Sequence, residues 1–172
     1  VFNGKIRKKT PFEDIYIQPA AADNGTALGA AYYVWNQVLK NPRSFVMKHS
    51  YWGPEYTQGA VERELSSYQA QLEESGCKSK KLPDDESLCR WPAEKIAEGK
   101  VVGWFQGRME WGARALGNRS ILADPRRKDM RDIINVKIKF RERFRPFAPV
   151  ILEDRIDEYF EGAVPDPFML PV

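Results

Sequence analysis

Histidine and cysteine, which often bind transition metals or act as nucleophiles, are scarce: the 172 residues contain only His49, Cys77 and Cys89. A zinc site built from such side chains needs about four ligands at characteristic spacing, which three scattered residues do not supply. His49 is interpreted as a surface or packing residue and the two cysteines as reduced thiols. The sequence thus indicates no metal, redox or triad chemistry contained in this chain alone.

A long apolar run is also missing. No stretch approaches the roughly 20 consecutive apolar residues of a membrane span, and residues 1–5 lack the charged-then-apolar pattern of a signal peptide. Both absences predict a cytoplasmic setting. Hydrophobic residues nevertheless make up 42% of the chain and charged residues 30%, which is enough apolar material for a core and excludes global disorder.

Positive charge is concentrated in residues 101–149. This stretch contains twelve lysines and arginines against five acids, a net +7, so the remainder of the +3 chain carries −4. Such a concentration indicates an anionic partner: phosphate, a nucleotide or nucleic acid. A solvated helix face is the simpler interpretation for Arg126, Arg127, Lys128 and Arg131.

Hydrophobic periodicity predicts an α/β fold, in which strands and helices follow one another along the chain. A strand at 14–18 precedes a helix at about 26–39, and a second helix spans about 58–74 after an aromatic crossover. Further elements are expected in the second half: a helix at 92–98, a buried strand at 101–106, strands at 120–124 and 148–152, a helix at 128–137, and a final helical turn at 154–160.

Residues 107–119, called here the Gly–Arg loop, follow the predicted buried strand and contain three glycines and three arginines. Glycine allows backbone N–H groups to approach a ligand closely, and arginine binds phosphate oxygens bidentately. The loop is therefore a candidate anion cradle, although it is neither a Walker A loop nor a GxGxxG fingerprint.

Residues 137–147, called here the basic run, alternate basic with apolar or aromatic side chains. In an extended segment this alternation places the cations on one side and the apolar residues on the other. The alternation fits an extended segment, which would present a basic row to a ligand, whereas a helical run would scatter the cations. The members of that row are Lys137, Lys139, Arg141, Arg143 and Arg145.

These segments resemble the signature of the O-carbamoyltransferases, enzymes that modify antibiotics and nodulation factors. The matching stretches of the long motif are residues 103–110, 114–126, 141–142 and 144–149. Residues 14–21 and 23–31 resemble the end of the same family's first domain. The resemblance covers essentially the whole chain.

The resemblance implies two domains. Residues 1–50 would end an actin-like ATPase-fold domain that carries an iron site, and residues 51–172 would form the front part of a YrdC-like domain, a twisted mixed sheet with flanking helices. In the family, the second domain uses carbamoyl phosphate and ATP to make carbamoyl adenylate, whose carbamoyl group passes to a substrate hydroxyl. The implied cofactors and partners are ATP with Mg²⁺, a hydroxyl-bearing acceptor, the rest of the polypeptide, and Fe²⁺ in the complete enzyme's first domain only.

The resemblance also implies site residues. Arg114, Lys139 and Arg145 match positions that hold carbamoyl phosphate and the nucleotide phosphates, where fixed positive charge would stabilise the pentavalent phosphorus. We expect these three to be the catalytic residues. Further contacts to carbamoyl phosphate or ATP, with loop-ordering hydrogen bonds as the alternative role, are expected from Arg108, Asn118, Arg119 and Ser120. Surface or ion-pair roles are expected for Lys137, Arg141 and Arg143.

Asp23 matches the aspartate that ligates the metal of the family's first domain. A carboxylate at a helix start suits that role, and it equally suits an ordinary N-cap. Because the family's histidine ligands are absent here, a metal at Asp23 is expected only with ligands from outside this chain. The family also continues beyond residues 167–170 with a strand-rich stretch, so little activity is expected of this chain alone.

Two other functions stay open. The basic run with its aromatics is also typical of a nucleic-acid-binding module, which stacks bases and contacts phosphates. The third possibility is an interaction domain with a degenerate site. Exchange of arginine for lysine separates the first two, because a nucleic-acid surface tolerates it whereas a bidentate site at Arg114 or Arg145 does not.

Overall fold

A computed structural model describes residues 2–170, which combine helices with one small sheet. The α-helices are α1 (Asn3–Lys9), α2 (Asp23–Tyr33), α3 (Gln58–Ser67), α4 (Gln69–Glu74), α5 (Asp85–Ala97), α6 (Met130–Ile133) and α7 (Ile156–Tyr159). Among the residues described, no helix has both the length and the apolar character that crossing a bilayer requires. The mixture of helix and sheet agrees with the predicted α/β class, while its YrdC-like and actin-like details stay predictions.

The sheet consists of two antiparallel strands, β1 (Val102–Phe105) and β2 (Arg119–Leu122). Both were predicted within one to two residues of these bounds, yet the expected burial of the first is wrong. Phe105 remains 53% exposed, because β1 is paired with a single neighbour and only part of its surface is covered. The sheet therefore positions the two ends of the Gly–Arg loop beside each other rather than forming a closed core.

The other predicted strands are absent from the described residues. Residues 14–18 and 148–152 have no strand partner, and Val150 is 87% exposed. An isolated extended segment lacks the ladder hydrogen bonds that stabilise a strand, so alternation or apolar content alone does not produce one. Residues 137–147 do not form one extended segment either, because they begin in a π-helical turn and bend at Phe140.

Helix starts follow the capping side chains. Asp84 accepts a hydrogen bond from the backbone N–H of Ser87 at 2.7 Å, so α5 begins at Asp85 rather than at the expected Pro92. The same bond from Ser87 holds the pKa of Asp84 below its ordinary value. Pro92 is instead inside the helix, where it removes one backbone donor. The helix predicted over 58–74 is present but interrupted at Tyr68.

Two helices end in a π-helical turn. Helix α2 continues into Val34–Val38, and α6 continues into Ile134–Ile138. Two residues after each turn the backbone adopts a positive φ, 57° at Lys40 and 48° at Phe140. A left-handed residue after a helix redirects the chain and lets later N–H groups reach the last helical carbonyls. The chain that follows α6 therefore turns sharply at the start of the basic run.

The chain divides into two units that are not continuous in sequence. The unit called here the terminal unit contains the described chain up to Gly53, Met109–Asn118, and the chain from Ala148 onward. The other, called the sheet unit, contains Pro54–Arg108 and Arg119–Phe147. The boundary that the resemblance implies after residue 50 stays a prediction.

Polar side chains are as prominent as apolar ones among the most buried residues. The buried residues of the described chain include the apolar Met47, Met130, Ile134 and Phe168, two prolines, Pro19 and Pro92, and the polar Ser50, Glu110, Asp124 and Asn135. Burying a polar group without a partner is unfavourable by several kcal/mol on transfer scales. The hydrogen bonds of the buried polar residues therefore show which segments have a fixed geometry.

Candidate anion-binding site

The expected site residues fall in both units. The terminal unit contains Arg114 and Asn118. The sheet unit contains Arg108, Arg119, Ser120, Lys139 and Arg145. Each unit therefore has its own candidate anion-binding segment: the Gly–Arg loop, whose residues 109–118 belong to the terminal unit, and the basic run in the sheet unit.

Glu110 organises the Gly–Arg loop from within. Its side chain is only 4% exposed, and its Oε1 accepts hydrogen bonds from the backbone N–H groups of Leu116 at 2.7 Å and Asn118 at 2.9 Å. Two N–H groups that were candidates for an anion cradle thus face a carboxylate of the protein itself. The predicted backbone cradle is wrong for these two groups, while the arginine side chains of the loop stay candidates for anion binding.

The loop is also tied to residues 50–53. The backbone N–H of Trp111 donates to the carbonyl of Ser50 at 2.6 Å, and the N–H of Gly53 donates to the carbonyl of Met109 at 2.9 Å. The Tyr51 hydroxyl donates to the carbonyl of Leu116 at 3.0 Å. These bonds hold the loop on both sides of Arg114.

Arg114 itself lies in a bend of the held loop, and its side chain is exposed to solvent. An arginine on a fixed backbone loses less conformational freedom when it binds an anion than one on a mobile loop. Near the same loop, His49 stacks on the rings of Tyr51 and Trp52, with centroid distances of 5.6 and 5.0 Å. His49 thus has the packing role that the sequence indicated.

Asn135 organises the basic run. Its side chain is 0% exposed, and its amide nitrogen donates to the carbonyls of Arg143 at 3.2 Å and Arg145 at 2.9 Å. Its Oδ1 accepts a hydrogen bond from Nε of Arg141 at 2.7 Å. Because both amide protons and the amide oxygen are used, the buried side chain is satisfied and the chain from 141 to 145 is folded around it.

The alternation of the basic run does not produce the predicted extended row. Ile134–Ile138 is a π-helical turn, and the positive φ of Phe140 begins a bend. Phe140 and Phe144 remain 84% and 77% exposed. The alternating pattern did not predict this conformation, because the buried amide of Asn135 binds the main-chain carbonyls of Arg143 and Arg145, which a strand would offer to a neighbouring strand.

Two cations of the basic run keep their charge available. The backbone N–H of Lys139 donates to Ile134 at 2.9 Å, while its exposed side chain forms no ion pair with any residue between 2 and 170. Nη1 of Arg145 lies 3.9 Å from a Glu142 carboxylate oxygen, with both side chains more than half exposed. Such a long, solvated pair contributes little, so an anion can replace Glu142 as the partner of Arg145.

Comparison with known proteins places these segments in a family. Residues 1–32 match the family model described as Carbamoyltransferase N-terminus, and residues 93–172 match Carbamoyltransferase C-terminus. The chain belongs to the carbamoyltransferase family. The Gly–Arg loop and the basic run both lie within the C-terminal match, and the family is one of transferase enzymes.

Related carbamoyltransferase-family sequences align with nearly the whole chain. An uncharacterized protein of Synechocystis is 46% identical over 176 residues, which cover 100% of this chain and 28% of the relative. Nodulation protein NolNO of Sinorhizobium fredii is 45% identical, covering 97% of this chain and 24% of its own. Nodulation protein NolO of Bradyrhizobium diazoefficiens is 42% identical, with 97% and 30% covered. The chain thus spans less than a third of the length of these relatives.

Three further residues expected from the carbamoyltransferase resemblance lie at or beside the sheet. Nη2 of Arg108 is 3.5 Å from a carboxylate oxygen of Glu55. Arg119 is opposite Phe105, and Ser120 is opposite Trp104 in the ladder of β1 and β2. These positions fix the backbone of both strand residues, while their contacts to a substrate stay predictions.

The arginines near the start of α6 are engaged in local ion pairs. Arg126 donates to the buried carboxylate of Asp124 through its side chain and its backbone N–H, with bonds of 2.8 to 3.1 Å. The hydrogen bonds from the Arg126 side chain hold the pKa of Asp124 at about 2. Arg127 pairs with Asp129 at 2.7 Å. Part of the +7 charge is therefore neutralised locally, and the helix-face interpretation is wrong for Arg126 and Arg127 because both precede α6.

Asp23, the family's expected metal ligand, is the first residue of α2, and its side chain is exposed. The N-cap is Ala22, and no side chain caps this helix, so the N-cap interpretation of Asp23 is wrong. Between residues 2 and 170 there is no group of three or more His, Cys, Asp or Glu side chains arranged to hold a metal ion. The described residues therefore do not supply the donor set of an iron site by themselves.

Glu110 and Asn135 hold the two candidate segments through their side-chain hydrogen bonds, and neither was predicted from the sequence as a site residue. Each carries a signal in the sequence: Glu110 is an acid inside a basic, glycine-rich loop, and Asn135 is a polar residue between Ile134 and Val136. A polar residue that interrupts an apolar stretch is buried only when it has partners. Such residues are candidates for fixing the loops beside them.

Proposed function

We propose that this chain supplies part of the carbamoyl-phosphate and ATP site of an O-carbamoyltransferase, with Lys139, Arg145 and Arg114 as phosphate-binding catalytic residues. The observation that carries the proposal is that some cations of the basic region form short ion pairs with acids of the protein, whereas others do not. Arg126 and Arg127 are paired with acids in short bonds, whereas Lys139 is unpaired within the described residues and Arg145 has only a long, solvated contact. Charge of this kind is available to a polyanionic substrate.

The chemistry requires this charge. Water hydrolyses carbamoyl phosphate to carbamate and inorganic phosphate, and a carbamate oxygen then attacks the α-phosphorus of ATP and displaces pyrophosphate. The resulting carbamoyl adenylate then transfers its carbamoyl group to a substrate hydroxyl and releases AMP. Bringing two polyanions together is opposed by their repulsion, which fixed lysine and arginine side chains reduce, and the same side chains stabilise the pentavalent phosphorus.

The proposed roles follow from the chemistry of each side chain. Arg145 and Arg114 bind phosphate oxygens bidentately through planar guanidinium groups, and Lys139 acts as a compact point charge on the transferring phosphoryl group. Mg²⁺, when bound with ATP, supplies further charge neutralisation at the phosphates. Arg108, Asn118, Arg119 and Ser120 are proposed as additional contacts to carbamoyl phosphate or ATP.

The acceptor hydroxyl and the metal are proposed to involve the rest of the polypeptide. Asp23 offers one exposed carboxylate, which would complete an Fe²⁺ site only with ligands from outside this chain. The nucleic-acid alternative rested on the basic run with its interleaved aromatics. The family that the chain matches is one of carbamoyltransferases, and no observation favours the nucleic-acid alternative.

The test is turnover by the full-length protein with carbamoyl phosphate and ATP. We expect release of both phosphate and pyrophosphate, with pyrophosphate release dependent on carbamoyl phosphate. Arg145→Lys and Arg114→Lys should each reduce turnover roughly tenfold or more, because a point charge does not replace a bidentate fork. Wild-type-like turnover in both variants would remove the assignment, and tight RNA binding with a steep salt slope in place of turnover would favour a nucleic-acid module.

A further inference from the structure

The basic run has a single buried anchor. Asn135 is the only residue of Ile134–Ile138 whose side chain bonds to the chain that follows, and it is fully buried. We propose that Asn135 is the positioning residue of the candidate site: it fixes the main chain from 141 to 145 and thereby sets where Arg145 and Lys139 present their charge. The inference rests on the proposed function for its substrate, but its structural part does not.

The bonding pattern supports a positioning role over a general contribution to stability. Four hydrogen bonds join Asn135 to the run: its amide donates to the carbonyls of Arg143 and Arg145, its Oδ1 accepts from Nε of Arg141, and its own carbonyl accepts from the N–H of Arg141 at 2.9 Å. Three of them use the side chain. A substitution of the Asn135 side chain can therefore remove these three hydrogen bonds while the backbone hydrogen bonds of the helix stay in place.

Neighbouring contacts stiffen the same segment. The guanidinium carbon of Arg141 lies 4.7 Å from the centroid of the Phe147 ring, and Nη1 of Arg143 lies 3.4 Å from a carboxylate oxygen of Asp132. Two of the predicted row members thus bind protein groups instead of ligand. The other three row members are Lys137, Lys139 and Arg145, and of these Lys139, before the anchored segment, and Arg145, at its end, have the proposed catalytic role.

The decisive variant is Asn135→Asp. It keeps the size of the side chain and the acceptor for Arg141, while replacing both amide protons with an oxygen that repels the carbonyls of Arg143 and Arg145. Asn135→Leu, which removes all three side-chain bonds without adding charge, is the second variant should the first fold poorly. Val136→Ala, at the next, exposed position of the same turn, is the matched control.

Two measurements on the full-length protein test this role: the hydrogen exchange of backbone amides and the affinity for phosphate-containing ligands. Hydrogen exchange should be roughly tenfold faster at the amides of Arg141 and Arg145 in Asn135→Asp than in Val136→Ala. The KM for carbamoyl phosphate should rise roughly tenfold, as should the dissociation constant for inorganic pyrophosphate measured by calorimetry. A merely structural role would lower the active fraction, and with it the apparent kcat, but would leave both constants unchanged.

The outcomes separate this inference from the proposed function. Wild-type KM and pyrophosphate affinity in both Asn135 variants would overturn the positioning role while leaving the proposed function in place. A wild-type protein that binds pyrophosphate but does not turn over, with binding weakened by Asn135→Asp, would remove the proposed function and support the positioning role. A wild-type protein that neither turns over nor binds pyrophosphate would overturn both.

Discussion

The two candidate anion-binding segments are each held by one buried polar side chain, but the two side chains have opposite hydrogen-bonding character. In the Gly–Arg loop, the carboxylate of Glu110 accepts from the N–H groups of Leu116 and Asn118. In the basic run, the amide of Asn135 donates to the carbonyls of Arg143 and Arg145. One segment is folded around an acceptor and the other around a donor.

This difference determines what each segment offers a ligand. Glu110 brings a negative charge next to the loop and occupies two N–H groups that an anion could otherwise use. Asn135 is neutral and occupies carbonyls that would repel an anion. We therefore expect the basic run to be the stronger anion site, with larger contributions from Lys139 and Arg145 than from Arg114.

The largest expected effect is on catalysis through Lys139. Replacing it with alanine removes a cation that forms no ion pair within residues 2–170 and that we propose binds the transferring phosphoryl group, and we expect pyrophosphate release to fall by about a hundredfold or more. Lys137→Ala is the matched control, because Lys137 is an exposed lysine in the π-helical turn just before it. Its turnover should stay within about threefold of wild type.

Equal losses in the two lysine variants would mean that only the total charge of the segment matters, which contradicts a defined site. Arg114→Ala extends the same comparison to the Gly–Arg loop. Its loss should be smaller than that of Lys139→Ala if the loop is the weaker of the two sites. A larger loss for Arg114→Ala would reverse the ranking of the two segments.

The second prediction concerns the anchor of the Gly–Arg loop. Glu110→Ala leaves the N–H groups of Leu116 and Asn118 without their acceptor, and we expect the free energy of unfolding to fall by about 3 kcal/mol. Urea denaturation of the full-length protein measures the change. The exposed acid Glu161, replaced by alanine, is the control and should change stability by less than about 0.5 kcal/mol. An equal, small effect in both would show that Glu110 does not hold the loop.

The sequence predicted which segments bear the charge but not what holds them. The strands around 101–106 and 120–124 and the helices at 26–39 and 58–74 were found at nearly the right positions, because local periodicity and turn residues determine them. The basic run was assigned the wrong geometry, because an alternating pattern fits a strand equally well whether or not a partner strand is present. Its actual bend depends on Asn135, whose contacts lie six to ten residues away in the chain.

The same dependence on tertiary structure explains why the helices near Pro92 and Asp23 begin at other residues than predicted. A proline favours the first turn of a helix, yet Asp84 provides a better cap eight residues earlier and the helix accepts Pro92 inside. Asp23 was a plausible cap, yet the helix starts after Ala22 without a side-chain cap. Capping rules rank candidate starts, whereas the tertiary environment selects among them, so boundaries were less predictable than the presence of a helix.

The third prediction tests the tight packing of the Gly–Arg loop near Glu110. Gly112 has φ +106°, and a Cβ added there would lie 2.8 Å from the Cβ of Ala20. Gly112→Ala should therefore lower stability by about 2 kcal/mol, through backbone strain together with the contact. Gly162→Ala is a matched control, since its φ is +63° and its added Cβ meets nothing within 4 Å. Thermal unfolding should show a smaller loss for Gly162→Ala, and equal losses would assign the whole effect to backbone strain.

The smallest effect is expected at the second buried acid, Asp124, whose partner is the side chain of Arg126 rather than the backbone of a loop. Hydrogen bonds from Arg126 hold the pKa of Asp124 at about 2, below its ordinary value of 3.8. Between these values the unfolded chain binds a proton that the folded protein does not, so this contribution is complete above about pH 4 and is lost as the pH falls toward 2. Thermal unfolding between pH 2 and 5 should show a shallower pH dependence in Asp124→Asn than in the wild type.

The exposed pair of Arg127 and Asp129 is the comparison, and Asp129→Asn should change the slope less because water already solvates both groups. An unchanged slope in Asp124→Asn would show that burial adds nothing to the Asp124–Arg126 pair, and the contrast between buried and exposed acids would then apply to Glu110 alone.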